Sequence, residues 1–372
     1  GNIVVTGYSK GDFGKDLATY KYSPNGDSLW LVTYNYTGGL DDIGVKVVAD
    51  GSGNIYSGGY GYNSNLNLDF LVVKYNSSGV QQWVYHFDGF AGLDDVLADM
   101  ALDGSGNIIA TGKSRSATNK DDYATVKISS SGSQTWQQTF DNAQKTDRAT
   151  ALWIDASDNV YITGRSNNGN FDNMVTIKYN SSGAQQWMQP LDIPNTDDRG
   201  IDITGNSSMV IITGTVFNGT QNDIRTVAYP LTGGNPLWST AYSGTTGKDD
   251  VPNDITVDAN GNVFVTGVTN VSTGAVSNND VLILKYNSSG TQQLAKIVGG
   301  NSNLDDIGSM SITDASGNCA VSIWFCDLPD CKASTMAELI FGCLEGLWAR
   351  HVPARKAMRG NCIPKVRKLF IF

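Results

Sequence analysis

The first 318 residues contain no cysteine and no glutamate. Without glutamate, a glycoside hydrolase pair would have to be two aspartates, and aspartates here recur along the chain instead of forming one unique pair. Histidine is almost as scarce, since His86 is the single one in this stretch and its surroundings predict a solvated or edge residue. No Gly-x-Ser-x-Gly, His-Glu-x-x-His or phosphate-loop motif occurs. The sequence therefore argues against an enzyme, without excluding one.

Other classes are disfavoured by charge and hydropathy. The formal net charge of -10 opposes binding to nucleic acid or to an anionic membrane surface. No run of 18 apolar residues occurs, which predicts no transmembrane helix. A cysteine-free region rich in Asn, Ser, Thr and Gly suits an oxidising exterior. Since the chain opens inside a strand phrase, we expect it to be part of a longer protein.

What the chain does contain is a repeat. A turn-plus-strand phrase returns about every 52 residues and closes on a glycine each time. These glycines are Gly7, Gly59, Gly112, Gly164, Gly214 and Gly267. A fixed period of this size is typical of a solenoid, a propeller or an array.

Within one copy, the pattern predicts four short antiparallel strands, which we call strands a to d. They cover residues 43–50, 55–60, 69–75 and 80–87, and Gly- and Asn-rich turns separate a from b and c from d. Four such strands form one blade of a β-propeller. The template also fits residues 94–140, 147–191, 197–242 and 249–297.

Two incomplete copies complement each other. Residues 2–36 supply only strands b, c and d, and residues 305–314 supply only strand a. We predict that the two join as a composite closing blade, which removes two exposed sheet edges. The result is an all-β propeller of six blades over residues 1–318, with seven blades or an open partial propeller as alternatives.

A tryptophan recurs four residues after the glycine of each c–d turn. The set is Trp30, Trp83, Trp136, Trp187 and Trp238, with Leu294 in the last copy. A side chain of this size can fill the wedge between diverging blades, and its burial contributes about 2–3 kcal/mol. A stacking platform for sugars or bases is the alternative interpretation.

The recurring phrases resemble the bacterial SBBP-type β-propeller repeats. The best copies are residues 74–83 and 178–187, which read Lys-Tyr-Asn-Ser-Ser-Gly-x-Gln-Gln-Trp, and the resemblance covers residues 1–318. It implies an exported or surface-attached bacterial protein, often a monomeric module of a larger chain. The repeat defines no catalytic residues, and the family name implies seven blades.

The pattern breaks down after residue 318. All five cysteines and both glutamates lie in residues 319–372, which we interpret as a separate non-repeat tail, partly helical or disordered. Its composition leads us to expect a segment that did not evolve as a propeller, such as the product of a reading-frame slip. A capping box at Thr335 and Glu338 favours a helix to about Arg350. A zinc site from Cys326, Cys331, Cys343, His351 and Cys362 is a weaker interpretation, because no Cys-x-x-Cys pair is present.

Aspartates recur at two places that face the same end of the blades. One set precedes strand a, and the other opens strand c with Asp16, Asp69, Asp122, Asp172, Asp223 and Asp280. The first set consists of Asp41, Asp42, Asp94, Asp95, Asp197, Asp198, Asp249, Asp250, Asp305 and Asp306. A structural role as acceptors of backbone N–H groups in turns is one interpretation. The other is a metal site, an acidic ring able to hold Ca²⁺ or another hard cation between carboxylates and loop carbonyls, and no other cofactor is expected.

Lysines near the end of strand c lie toward the opposite end, where aspartates close strand a. This placement predicts Lys–Asp ties between strands. The lysines are Lys21, Lys74, Lys127, Lys178 and Lys285, and the aspartates are Asp50, Asp103, Asp155, Asp258 and Asp314.

The sequence thus predicts a secreted or cell-surface, non-catalytic binding or structural module. The expected partner is another protein or a surface glycan, bound by the b–c and d–a loops, of which residues 268–279 form the longest. A propeller-fold hydrolase or lyase acting on polysaccharide, or a calcium-dependent adhesion module, is the alternative.

Overall fold

A computed structural model describes residues 1–37, 39–245, 247–271, 278–299, 305–313, 319–324, 336–339 and 368–371. Every regular element of these residues is a β-strand. The first strands are β1 (Ile3–Lys10), β2 (Lys15–Tyr22), β3 (Ser28–Tyr34), β4 (Asp42–Ala49), β5 (Ile55–Tyr62), β6 (Leu68–Tyr75), β7 (Gln81–Phe87), β8 (Asp95–Leu102), β9 (Ile108–Arg115), β10 (Asp121–Ile128), β11 (Gln134–Phe140), β12 (Asp147–Ile154) and β13 (Val160–Asn167). The remaining strands are β14 (Asp172–Tyr179), β15 (Gln185–Leu191), β16 (Asp197–Gly205), β17 (Met209–Phe217), β18 (Asn222–Pro230), β19 (Trp238–Tyr242), β20 (Asp250–Val257), β21 (Val263–Asn270), β22 (Asn279–Tyr286), β23 (Gln292–Val298), β24 (Ile307–Thr313), β25 (Cys319–Trp324), β26 (Met336–Leu339) and β27 (Lys368–Ile371).

The strands form repeated four-stranded antiparallel sheets, as the sequence predicts. Five sheets consist of consecutive strands in the orders β4-β5-β6-β7, β11-β10-β9-β8, β12-β13-β14-β15, β16-β17-β18-β19 and β20-β21-β22-β23. Strands a to d of the repeat correspond to the four strands of each sheet. The fold is a β-propeller, and the described residues form six sheets of four strands and one of three.

The composite blade is completed by a different strand from the predicted one. β27 pairs antiparallel with β1, with Ile3 opposite Ile371, so the first sheet has the order β27-β1-β2-β3. Residues 305–314 do not take that place, because β24 pairs with β25 instead. Pairing through backbone groups needs no repeat motif, which is why the tail can supply this strand.

The predicted helix after Thr335 is wrong where the structure describes it. Met336–Leu339 is the strand β26, which pairs with β25 and gives a three-stranded sheet with β24. Two interior residues of this strand pair with Ser322 and Ile323, so the extended conformation is stabilised by a neighbouring strand. In the part of the chain that is described, no helix is long and apolar enough to cross a membrane.

The chain forms two compact units. One comprises residues 1–160, 179–184 and 359–372, and the other comprises residues 161–178 and 185–358. In the first unit, a core cluster joins Tyr56 and Phe70 of one sheet to Leu97, Met100 and Val126 of the next. In the second, the cluster that contains Met209 and Ile224 also contains Ile255, Val263 and Leu282. The core thus lies between successive sheets, and each fully buried apolar side chain contributes about 1.5–3 kcal/mol.

The a–b and c–d turns share one end of the sheets, which we call the turn end. The Nε1 atom of each repeated tryptophan donates to a c–d turn carbonyl of the following sheet. The pairs are Trp30–Ser77, Trp83–Ser130, Trp136–Ser181, Trp187–Leu231 and Trp238–Ser288, at 3.1–3.2 Å. Gly79 has a positive φ of 84°, and a Cβ there would lie 3.0 Å from the Trp30 ring. The structural interpretation of the tryptophans is confirmed.

The repeated lysines bond to the same carbonyls. Lys21 and Lys74 donate to Ser77 O and Ser130 O at 2.9 and 3.0 Å. Lys127 donates to Ser181 O and also forms the predicted tie to Asp103, with 2.8 Å between Nζ and Oδ2. One turn carbonyl therefore accepts two N–H donors from the preceding sheet.

Candidate functional site

The b–c and d–a connections share the opposite end of the sheets, which we call the loop end. All of the predicted aspartate pairs lie there, at the start of strand a. The first aspartate of each pair accepts the backbone N–H at the start of strand c in the preceding sheet. The donors Lys15, Leu68, Asp172, Asn222 and Asn279 bond to Asp41, Asp94, Asp197, Asp249 and Asp305 at 2.7–3.2 Å.

The second aspartate of each pair is buried. Asp42, Asp95, Asp198, Asp250 and Asp306 are all 0% exposed. Four of them accept a backbone N–H from the d–a connection before them, as in the bond from Tyr36 N to Asp42 Oδ2 at 2.8 Å. Burial raises the pKa of Asp42 and of Asp95 to about 7. The two members of each pair therefore have different surroundings, although the sequence presents them as equals.

Two clusters of three carboxylates occur at the loop end. Asp69, Asp88 and Asp95 form the first, with one oxygen from each within 4.8 Å of the others. Asp122, Asp141 and Asp147 form the second at the equivalent places one sheet later. Each cluster combines strand c, the residue after strand d and the start of the next strand a. Carboxylate oxygens are ligands that Ca²⁺ prefers.

The clusters bring together only one residue of the predicted metal set, Asp95. Within the described ranges, none of the other nine aspartates of that set lies in such a group of three. The predicted alignment of strand c also needs a correction, because Asn173, and not Asp172, stands where Asp69 and Asp122 stand. In the first sheet, Asn35 replaces the middle carboxylate and donates to Asp16 at 2.9 Å.

A tyrosine–histidine contact adjoins the first cluster. Tyr34 Oη and His86 Nε2 are 2.9 Å apart, and the rings of His86 and Tyr36 lie 4.0 Å apart. Tyr36 Oη donates to Asp69 Oδ2 at 2.8 Å. Partial desolvation lowers the pKa of His86. The sequence did not indicate this contact because His86 has no counterpart in the other copies. The place of Tyr34 does recur as an aromatic residue, in Phe87, Phe140 and Tyr242.

The most exposed apolar side chains of the described residues also lie at the loop end. Phe13 is 88% exposed, Phe90 84% and Leu66 66%. Phe13 lies against Gly39 of the next connection. The connections that carry Leu66 and Phe90 are joined by a bond from Asn67 Nδ2 to Gly92 O at 2.8 Å. Three exposed apolar side chains thus lie at the loop end of the first unit, and two of them, Leu66 and Phe90, are on adjoining connections.

A cavity of about 540 Å³ lies instead at the turn end, between the a–b turns of two sheets. Its acidic groups bond within the scaffold, since Asp50 accepts from Asn54 and Tyr56, and Asp103 accepts from Asn107. The predicted zinc ligands Cys326, Cys331, Cys343, His351 and Cys362 lie outside the described residues, as do positions 272–277 of the longest b–c loop.

Comparison with known proteins supports the fold and the repeat. A family model, that of the SBBP β-propeller repeat, matches residues 238–272. The resemblance seen in the sequence is therefore confirmed. No curated protein matches the chain.

Solved structures resemble the chain at low identity. The polysaccharide lyase Uly1 aligns with 89% of this chain and 86% of its own at 11% identity, with a TM-score of 0.51. BamB from Moraxella catarrhalis covers 86% of this chain and 96% of its own at 11% identity, with a TM-score of 0.41. Drosophila Semaphorin 1b covers 86% of this chain and 83% of its own at 9% identity, with a TM-score of 0.48. At such identities the likeness concerns the fold alone.

Proposed function

We propose that the protein is a non-catalytic β-propeller module, exported to the bacterial surface or beyond, that binds a surface glycan through its loop end. The observation that carries the proposal is the exposure of Phe13 and Phe90, at 88% and 84%, on glycine-flanked connections at the loop end of the first unit. A soluble protein places large aromatic rings in water at a cost, and clustered exposed apolar groups mark interaction sites.

The surroundings of these rings favour a carbohydrate over a protein partner. Sugar rings pack their apolar faces on aromatic side chains and hydrogen-bond through their hydroxyls. Asp88 is exposed and begins the connection that carries Phe90, so its carboxylate can accept hydrogen bonds from such hydroxyls. A protein partner would need a broader apolar centre than three separate side chains.

A glycan array with the full chain tests the proposal. We expect binding to a defined set of glycans, and at least about tenfold weaker binding by the double variant Phe13→Ala/Phe90→Ala. Val80→Ala is the matched control, since Val80 is also exposed but lies in a c–d turn at the turn end. A double variant that binds as well as Val80→Ala contradicts the proposal, as does capture of a protein and no glycan.

Calcium dependence is a second candidate property, favoured by the two three-carboxylate clusters. If Ca²⁺ occupies the Asp69 cluster, Asp88→Asn should abolish a calcium-induced rise in melting temperature. Asp27→Asn, at an exposed turn-end position, is the control. A melting temperature that calcium and chelator leave unchanged counts against calcium binding.

A polysaccharide lyase or hydrolase remains the alternative function. The Tyr34–His86 contact is the place to test it, because a histidine beside a tyrosine is a suitable acid–base pair. We expect no cleavage of any glycan that the array identifies. Turnover by the natural protein that His86→Ala abolishes, with binding retained, would establish the enzyme instead.

A further inference from the structure

Arginine is distributed very unevenly in the propeller. All five arginines of residues 1–322 fall between positions 115 and 225, and four of them surround two aspartates at the loop end. Asp121 opens strand β10, and Asp172 opens strand β14 at the equivalent place. In the other four four-stranded sheets of the described residues, strand c opens with Lys15, Leu68, Asn222 or Asn279, so no carboxylate collects cations at this place.

The group at Asp121, which we call the basic node, contains Lys113, Arg115 and Arg148. Asp121 Oδ2 lies 2.6 Å from Arg148 Nη2 and 3.4 Å from Lys113 Nζ, and Oδ1 lies 3.3 Å from Arg115 Nε. Arg115 also reaches Asp94 at 3.3 Å. Three cations thus share two carboxylates, so the node keeps a surplus of positive charge.

The carboxyl of Asp121 is ionised and orients these cations. Burial opposes its ionisation, but the charges of Lys113 and Arg148 outweigh that effect and lower the pKa of Asp121. The Asp121 side chain is only 4% exposed, whereas that of Arg148 is 41% exposed. The negative charge lies beneath and the positive charges face solvent, an arrangement that pre-orients guanidinium donors for an anion.

The scaffold does not require this node. One sheet earlier along the chain, Tyr60 and Leu68 take the places of Lys113 and Asp121, and Val96 of the following strand a takes the place of Arg148. Two sheets later they are taken by Thr215, Asn222 and Val251. Uncharged side chains complete the same fold, so structural need does not explain three cations.

The equivalent group in the second unit repeats the chemistry. Arg165 Nη1 and Arg199 Nε lie 2.6 and 3.1 Å from Asp172 Oδ2, so two guanidinium groups share this carboxylate. Guanidinium forks match the oxygen geometry of sulfate and carboxylate groups.

We propose that the basic node of Lys113, Arg115 and Arg148 binds the sulfate or carboxylate groups of an acidic polysaccharide. This inference rests on the proposed glycan-binding function and names the class of glycan. The carboxylate of Asp122 lies on the other face of the sheet from the node, because Asp121 and Asp122 are successive strand residues whose side chains point in opposite directions.

Affinity electrophoresis of the full chain tests the site, with dextran sulfate, polygalacturonate and unsulfated dextran in the gel. We expect retardation by the two acidic polymers only. Lys113→Gln/Arg148→Gln should bind at least about tenfold more weakly. Lys120→Gln/Lys145→Gln is the matched control, because it removes the same charge from exposed lysines at the same loop end, and it should change binding by less than about twofold.

A second variant distinguishes loss of the binding site from misfolding of the protein. Lys113→Tyr/Asp121→Leu/Arg148→Val installs the residues that the preceding sheet carries at these places, so it should fold with an unchanged melting temperature and still lose binding. Node variants that bind like the control overturn the inference. Equal retardation of the natural protein by dextran and by dextran sulfate also overturns it. Displacement of dextran sulfate by duplex DNA of equal charge does the same.

Failure of this inference and failure of the proposed glycan binding by Phe13 and Phe90 are distinguishable. Binding of neutral glycans that requires Phe13 and Phe90, without retardation by acidic polymers, overturns the node and leaves the proposed function standing. Retardation that requires the node but not Phe13 and Phe90 supports the node and contradicts the proposed role of the two aromatic rings.

Discussion

The turn end and the loop end of the sheets differ in how closely their side chains repeat from sheet to sheet. At the turn end, one set of side chains recurs from sheet to sheet, and Trp Nε1 and Lys Nζ donate to the same turn carbonyl. At the loop end, the residue that opens strand c varies along the chain. It is Lys15, Leu68, Asp121, Asp172, Asn222 and Asn279 in the six four-stranded sheets of the described residues. The repeated end stabilises the fold, and the variable end is available for recognition.

The difference has a physical cause. The tryptophan at the turn end fills space between sheets, so its size is constrained by packing. Bonds at the loop end run from backbone N–H groups to the paired aspartates, so they fix the chain path without specifying which side chain carries the N–H. Side chains there can change without loss of the fold.

The largest expected effect comes from breaking the turn end. Trp83→Ala removes a ring that packs on Tyr56 and a bond to Ser130 O, and it should lower the free energy of unfolding by about 2–4 kcal/mol. Leu294→Ala is the control, since Leu294 takes the same place but is 38% exposed and should cost less than about 1 kcal/mol. Urea unfolding measures both. Equal losses would mean that the tryptophans do not hold the sheets together.

Most of the fold was predictable because the same strand pattern occurs in every copy of the repeat. The predicted strands at 55–60 and 69–75 match Ile55–Tyr62 and Leu68–Tyr75, with only the ends extended. The tail was not predictable. Met336–Leu339 and Lys368–Ile371 are short strands held by backbone pairing to neighbours, and such pairing leaves no periodic signal.

The candidate site was predictable only in outline. Spacing placed both aspartate sets at one end, which the structure confirms. It could not show that neighbouring aspartates face different surroundings, since this follows from strand alternation and from the path of the d–a connection. Phe13, Phe90 and the basic node do not recur from copy to copy, so the only sequence signal for them was a departure from the repeat template.

A smaller expected effect is the pH dependence of the free energy of unfolding, which should differ in sign between the two aspartates of a pair. Burial raises the pKa of Asp42 and Asp95 to about 7 and that of Asp69 to about 6. The folded state therefore binds protons that the unfolded chain releases near pH 4, so the free energy of unfolding should fall as pH rises from about 4 to 7. We expect a higher urea midpoint at pH 5 than at pH 8.

Asp42→Asn and Asp41→Asn test that assignment as a matched pair. The first copies the protonated carboxyl and should stabilise the protein at pH 8 by about 1–3 kcal/mol, with little change at pH 5. The hydrogen bond from Lys15 lowers the pKa of Asp41, so Asp41→Asn should slightly destabilise the protein at pH 8. Shifts of the same sign in both variants would contradict the distinction between the two members of the pair.

The smallest expected effect concerns Leu66, an exposed apolar residue of the loop end, and tests whether its presence there lowers the stability of the protein. Leu66 has a positive φ of 64°, a left-handed conformation that disfavours leucine by about 1–2 kcal/mol. In the next sheet, Asn119 occupies the equivalent place with a φ of 63°, and asparagine tolerates this conformation. Leu66→Asn should therefore raise the free energy of unfolding by about 0.5–1 kcal/mol and weaken glycan binding. Leu237→Ala, at an exposed turn-end position, should change neither by a measurable amount. A less stable Leu66→Asn variant would show that Leu66 serves the scaffold, and the loop end would then resemble the turn end at this position.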